Sequence, residues 1–220
     1  MQKRRSSLPV LLDRHRAALA ACRSCGLGDP TAVPLISDAR SPRVMLVGQA
    51  PGRTETVVPR PFAGRAGRTL FGWLAGVGIG EEPFRSEVYM AAVTRCFPGP
   101  SPSGRGDRVP SPRERALCRP WLDEELRIIR PALLILVGRL AIDVFLPDAP
   151  PLDQVVGRAH DVRHVGGRSM AVPLPHPSGA SSWIHGPGHR ELVDDALALI
   201  RAEFDRLGVI PGDAGQTRVA

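Results

Sequence analysis

The chain has 220 residues, 43% of them hydrophobic and 23% charged, and a net charge of +7. That length suits one domain with a substantial core, and no apolar run approaches the ~20 residues of a helical membrane span. The start, Met1-Gln2-Lys3-Arg4-Arg5, is basic but is not followed by a signal-type apolar core, so a cytoplasmic protein is expected. The positive charge favours a polyanionic partner such as nucleic acid. Lys3 is the only lysine, so a general abundance of arginine is the plainer alternative.

In chain order, residues 1–7 read as a disordered tail. Leu11, Leu12, Ala18 and Leu19 fall at helical spacing and predict a first helix over 8–21. Residues 26–42 read as loop, with a short extended piece at 32–36. The apolar run 44–47 predicts a buried strand that feeds Gly48-Gln49-Ala50-Pro51-Gly52, a glycine-proline loop. A helix over 68–76 follows, then a strand over 87–94. Residues 97–110 form a long Pro-, Gly- and Ser-rich loop carrying Arg105 and Arg108, and loops of this length in a compact domain are commonly functional. Ser111, Pro112 and Glu114 read as a capping box that opens a helix to about 129. A strand over 133–137 and a short helix through 146 come next. Segments 159–164 and 170–174 flank Gly166-Gly167 and predict a hairpin or strand pair. A helix over 188–207 closes the fold before a frayed tail. Strands alternating with helices imply a mostly parallel sheet covered on both faces.

Three groups of residues carry chemistry. First, the loop after the first strand offers glycines for close backbone approach. Phe62, in Pro61-Phe62-Ala63-Gly64, adds a flat apolar face, and Gln49 and Glu55 are the side chains there that suit hydrogen bonding or water activation. The loop is neither a Walker loop nor a GxGxxG fingerprint. Second, Cys22-Arg23-Ser24-Cys25, Cys96 and Cys118 use every cysteine of the chain. In a reducing compartment disulfides are disfavoured, and a CxxC redox pair leaves Cys96 and Cys118 idle. Four thiolates suit zinc or an iron–sulfur cluster, and spacing does not choose between them. Buried, inert cysteines at 96 and 118 are the plain alternative. Third, His176 sits between two prolines directly after an apolar strand, with Ser178 and Gly179 next; the other five histidines lack this setting. Ser178 and Gly179 offer a hydroxyl and amides to a phosphate.

Taken together, Gly-Gln-Ala-Pro-Gly, Pro-Phe-Ala-Gly-Arg-Ala-Gly and Pro-His-Pro-Ser-Gly resemble the motifs of the uracil-DNA glycosylase superfamily. The four cysteines resemble the ligands of its iron–sulfur branches, families 4 and 5. The likeness runs from about Cys22 to the final helix. It implies an α/β fold, a three-layer αβα sandwich around a central four-stranded, mainly parallel sheet, as a single domain. It implies a structural [4Fe-4S] cluster on Cys22, Cys25, Cys96 and Cys118. It implies a monofunctional glycosylase that hydrolyses the N-glycosidic bond of uracil, or of another deaminated base, in DNA. Phe62 would stack on the flipped base, Gln49, Ala50 and Ala92 would contact the pyrimidine edge, and His176 would stabilise the departing base. Glu55 would activate water. Ser178, Gly179, Trp183 and Arg105 would contact DNA. Nothing argues for an oligomer, so a monomer is expected.

The chain also departs from both branches. Family 4 usually carries an acidic residue where Gln49 stands and an asparagine where Ala92 stands. Family 5 carries an aspartate in the loop after the stacking aromatic, where this chain reads Gly64-Arg65-Ala66-Gly67. The sequence therefore resembles a hybrid of the two. The alternatives are a weak or inactive damaged-DNA binder of the same fold and a zinc-bound nucleic-acid module.

Overall fold

The computed structural model describes residues 7–25, 34–39, 42–103, 106–178 and 183–210. Arg105 and Gly179, two of the expected DNA contacts, lie outside these residues, as does most of both expected tails.

Five strands form one sheet: β1 (Val44–Gly48), β2 (Val88–Ala92), β3 (Leu133–Val137), β4 (His160–His164) and β5 (Gly167–Leu174), in the order β2-β1-β3-β5-β4. β1 runs parallel to both β2 and β3, β3 runs parallel to β5, and β4 is antiparallel to β5. The count of four strands implied by the resemblance is thus corrected to five. The additional member is the edge strand β4, in which only Val162 is buried. Its polar, short character suits an edge that must not recruit further strands.

β1 and β3 are buried at every residue, the pattern of a parallel sheet covered on both sides. Alternate residues feed two separate cores. Val44, Leu46, Leu133 and Ile135 pack on one side with helices α3 (Arg65–Ala75), α4 (Glu81–Glu87) and α8 (His189–Leu207). Met45, Val47, Leu134 and Leu136 pack on the other with α1 (Leu8–Ala20), α5 (Pro112–Ile129) and α6 (Arg139–Phe145). The result is the three-layer αβα arrangement. Two further short helices, α2 (Arg53–Val57) and α7 (Leu152–Val155), and a 3-10 turn at Trp183–His185 complete the described elements. Among the described residues no helix is long and apolar enough to cross a membrane.

α5 begins as expected. Ser111 Oγ accepts from the Glu114 amide at 3.3 Å, and Glu114 Oε2 accepts from the Ser111 amide at 2.7 Å. It ends at Arg130, whose φ of +49° breaks the helix just before Pro131. The β4–β5 turn sits directly on α5: a Cβ on Gly166 would lie 1.9 Å from the Leu126 carbonyl oxygen, so glycine is required there.

β1 connects outward to β2, and the chain then crosses to β3 on its other side. This reversal of strand order opens a crevice at the carboxyl ends of the strands, where open α/β sheets bind ligands.

Candidate active site and cysteine cluster

A cavity of about 530 Å³ occupies that crevice, lined by Gly48, Gln49 and Ala50 after β1, by Ala92 at the end of β2, by Val137 at the end of β3 and by His176 and Ser178 after β5. Phe62, Glu55 and Asp107 also line it. Gln49, Ala50, Phe62, Ala92, His176 and Ser178, all named from sequence, therefore meet in one pocket. Trp183 does not line it. Its ring stacks on His189, with centroids 4.0 Å apart and planes 13° apart, and it packs against the core.

Phe62 is held in a conformation that a non-glycine residue rarely adopts, with φ at +54°. Such strain costs about 1–3 kcal/mol and needs surrounding restraint. The buried Arg85 supplies it. Its guanidinium donates to the Pro61 carbonyl at 2.6 Å and to the Phe62 carbonyl at 3.2 Å. Arg85 is itself fixed by Glu81 at 2.8 Å and lies over the Phe71 ring, 4.4 Å from its centroid. Sequence reading missed Arg85, because burial of an arginine inside a short helix leaves no pattern. Two glycines complete the seat. A Cβ on Gly67 would fall 1.8 Å from the Phe62 carbonyl oxygen, and one on Gly48 would fall 3.2 Å from Phe62 Cζ. The phenyl ring thus lies close over the end of β1 and forms one wall of the cavity.

His176 packs against Gly138, where a Cβ would come within 3.1 Å of its ring. The Ser178 amide donates to His176 Nδ1 at 3.2 Å. A ring nitrogen that accepts carries no proton, so the neutral ring holds its hydrogen on Nε2. Burial pushes the His176 pKa below its ordinary value, with the Asp107 carboxylate opposing. The site therefore favours a neutral imidazole with one N–H to offer. Ala92 lines the same cavity with a methyl group in place of a polar side chain.

Glu55, expected to activate water, lines the cavity and also closes backbone. Its Oε2 accepts from the Gly52 amide at 2.8 Å and its Oε1 from the Gly64 amide at 3.0 Å. Both oxygens thus cap backbone at the starts of α2 and α3. The Gly52-to-Glu55 spacing is that of a helix N-cap and its third residue, the signal that would have revealed this role.

The long loop after β2 folds back as a small hairpin, with a bridge between Pro100 and Asp107. Ser101 N donates to the Gly106 carbonyl at 3.0 Å, and Arg108 N donates to the Gly99 carbonyl at 3.0 Å. At its foot Arg108 forks onto Glu114, at 2.8 and 2.5 Å. This places Asp107, which sequence reading missed, at the cavity.

The four cysteines gather at another end of the molecule's α1 face. All are free thiols. Burial pushes the Cys96 thiol up to about 12, reinforced by the fields of Cys25, Cys118 and Cys22, so the four lie within electrostatic reach of one another. Burial also raises Cys118, with Arg95 opposing. Burial raises Cys22 too, but hydrogen bonds from Ser24 and Trp121 outweigh it and leave that thiol lowered. Trp121 Nε1 donates to Cys22 Sγ at 3.2 Å. Among the described residues no three or more His, Cys, Asp or Glu side chains are grouped to hold a metal ion. The thiols feel one another's fields, and four thiolates there would repel one another, a repulsion that a cationic iron–sulfur group would relieve.

Behind the cysteines a buried network ties three elements together. Glu125 on α5 accepts from Tyr89 Oη on β2 at 2.8 Å, contacts His15 Nε2 on α1 at 3.1 Å and pairs with Arg95.

The model of the Uracil DNA glycosylase superfamily matches residues 36–198, which include the cavity residues from Gln49 to Ser178. A type-4 uracil-DNA glycosylase of Archaeoglobus fulgidus is 28% identical over 91% of this chain and 94% of its own length. A type-4 enzyme of Thermotoga maritima is 32% identical over 62% of this chain and 65% of its own. A type-5 uracil-DNA glycosylase of Pyrobaculum aerophilum is 33% identical over 45% and 46%. With the sheet, the crevice loops and this match over most of the chain in agreement, the chain belongs to the uracil-DNA glycosylase superfamily.

Proposed function

We propose that the protein is a monofunctional DNA repair glycosylase that hydrolyses the N-glycosidic bond of uracil, or of another deaminated base, and leaves an abasic site. The observation that carries this reading is the pairing of Phe62 with His176 across one cavity at the sheet's carboxyl edge. The scissile bond lies within the base stack, so the nucleotide must be extruded. Phe62 offers its face to the flipped base. The His176 Nε2–H meets the negative charge that develops on the base as the bond breaks, and a neutral donor fixed in advance stabilises that charge without reorganising.

Cys22, Cys25, Cys96 and Cys118 would hold a [4Fe-4S] cluster. Bound there, the group supplies a structural clip between the end of α1, the end of β2 and α5. The reading also includes a monomer acting in the cytoplasm, where a reducing milieu keeps the thiols free for iron.

One observation favours the weaker-enzyme alternative: Ala92 stands where family 4 usually carries an asparagine, and both Glu55 oxygens already accept from backbone amides. An abasic-site assay decides between them. Protein is incubated with labelled strands carrying uracil opposite guanine, uracil in a single strand, or hypoxanthine. Cleavage only after alkali is the expected result. Absence of cleavage by cluster-loaded protein would leave a damage binder.

A further inference from the structure

Resting on the glycosylase reading above, the reaction needs a group to orient and deprotonate the water that attacks the sugar. Each oxygen of Glu55 already accepts from a backbone amide, that of Gly52 or of Gly64. Among the described residues the other carboxylate at the cavity is Asp107. Its Oδ2 approaches the face of Gly52 to 3.0 Å of the point that a Cβ would occupy. A Cβ at position 52 would crowd it and also Glu55 Oε2, at 2.9 Å, so the glycine leaves room for both carboxylates. The residue keeps an exposed edge, whereas Gly48 and Val137 lie buried deeper in the cavity. A base stacked on Phe62 stays tethered to its backbone through the sugar, so the sugar stays at the mouth, where Asp107 sits. The hairpin bridge and the Arg108–Glu114 fork hold the residue in place.

We infer that Asp107 is the catalytic carboxylate that orients and deprotonates the attacking water. The C1′–N1 bond breaks and its electron pair leaves on the uracil, beside the His176 Nε2–H. The water oxygen forms the new bond to C1′, and its proton passes to the Asp107 carboxylate and from there to solvent. The uracil anion takes a proton from solvent. The products are an abasic sugar bearing a C1′ hydroxyl and free uracil. Partial withdrawal from solvent lifts the Asp107 carboxyl above its ordinary value, the Arg53 amide and guanidinium oppose the rise, the Glu55 carboxylate adds to it and His176 opposes it. A base lifted toward the working pH accepts a proton more readily.

The test is single-turnover excision of uracil across a pH series by the cluster-loaded full chain and by Asp107→Asn and Asp107→Glu. Asp107→Asn is expected to slow excision by roughly 10²–10⁴-fold, to bind uracil-DNA within a few-fold of wild type and to lose the acidic limb of the rate profile. Asp107→Glu, which keeps a carboxylate, regains part of the rate and the limb. An Asp107→Asn rate within tenfold of wild type, or an acidic limb that survives the change, would overturn the inference. So would loss of rate and binding together, which would make Asp107 a support of the hairpin. A wild-type protein that forms no abasic sites sinks the glycosylase reading instead.

Discussion

At the scale of single residues, the site works through side chains whose freedom has been removed. Phe62 is the clearest case, because its backbone is strained, its carbonyl is bound by Arg85 and the space beneath it is kept by Gly48 and Gly67. If the ring stacks on the extruded base, Phe62→Ala loses about 1–3 kcal/mol of productive capture, since base–aromatic stacking contributes that much. Single-turnover rates at rising protein concentration read this as weaker half-saturation on uracil-DNA. An unchanged curve would return Phe62 to the role of a core side chain. His176 differs in kind. Its orientation comes from one amide of the following loop and one glycine behind it, so its tautomer is set locally.

At the scale of elements, the capping box of α5 does two jobs. Glu114 closes the helix start on Ser111 and also receives the fork from Arg108, which pins the hairpin carrying Asp107. The hydrogen bonds and charge of Arg108 hold the Glu114 carboxyl down at about 2. A depressed carboxyl stabilises the fold above its ordinary value of 4.5 and loses that contribution as pH falls toward about 2. Glu114→Gln is therefore expected to cost ~1 kcal/mol at neutral pH, as for loss of a cap, and to flatten the fall in Tm between those two pH values. Thermal melts of both proteins across that range provide the check, and parallel curves would separate the fork from stability. This box, the buried strands and the hairpin turn were legible because each rests on local residue types: Ser-Pro-x-Glu, β-branched runs and paired glycines. The helices α2 and α4, five and seven residues long, show no amphipathic period. Asp107 was hidden for another reason. Its place depends on a hairpin fold and on a bridge to Pro100, seven residues earlier, neither of which composition reveals. Glu55 was read by its chemistry, and its spacing from Gly52 also carries the signal of a cap.

For the whole molecule, the two halves of the site are held by different means. The cavity is anchored in the sheet. The cysteines sit just after α1, on the segment after β2 and on α5, and these parts are joined beneath by Glu125 with His15, Tyr89 and Arg95. Cys118→Ser is expected to yield protein without the broad visible absorption of a [4Fe-4S] cluster and with a Tm lower by roughly 5–10 °C, equivalent to ~2–3 kcal/mol for a chain of this size. Colour and melting point both unchanged would show that Cys118 is a packing residue.

The hairpin between β2 and α5 has a consequence of another sort. It contributes a wall of the cavity, yet none of its described residues joins either hydrophobic core, and it is fastened through a bridge and an arginine fork. Insertions, deletions or exchanges there leave the sheet and its two packed faces untouched. A lineage can thus retune or replace the reactive group over a dozen residues at little cost to folding, and divergence in chemistry among relatives is expected to concentrate in this segment.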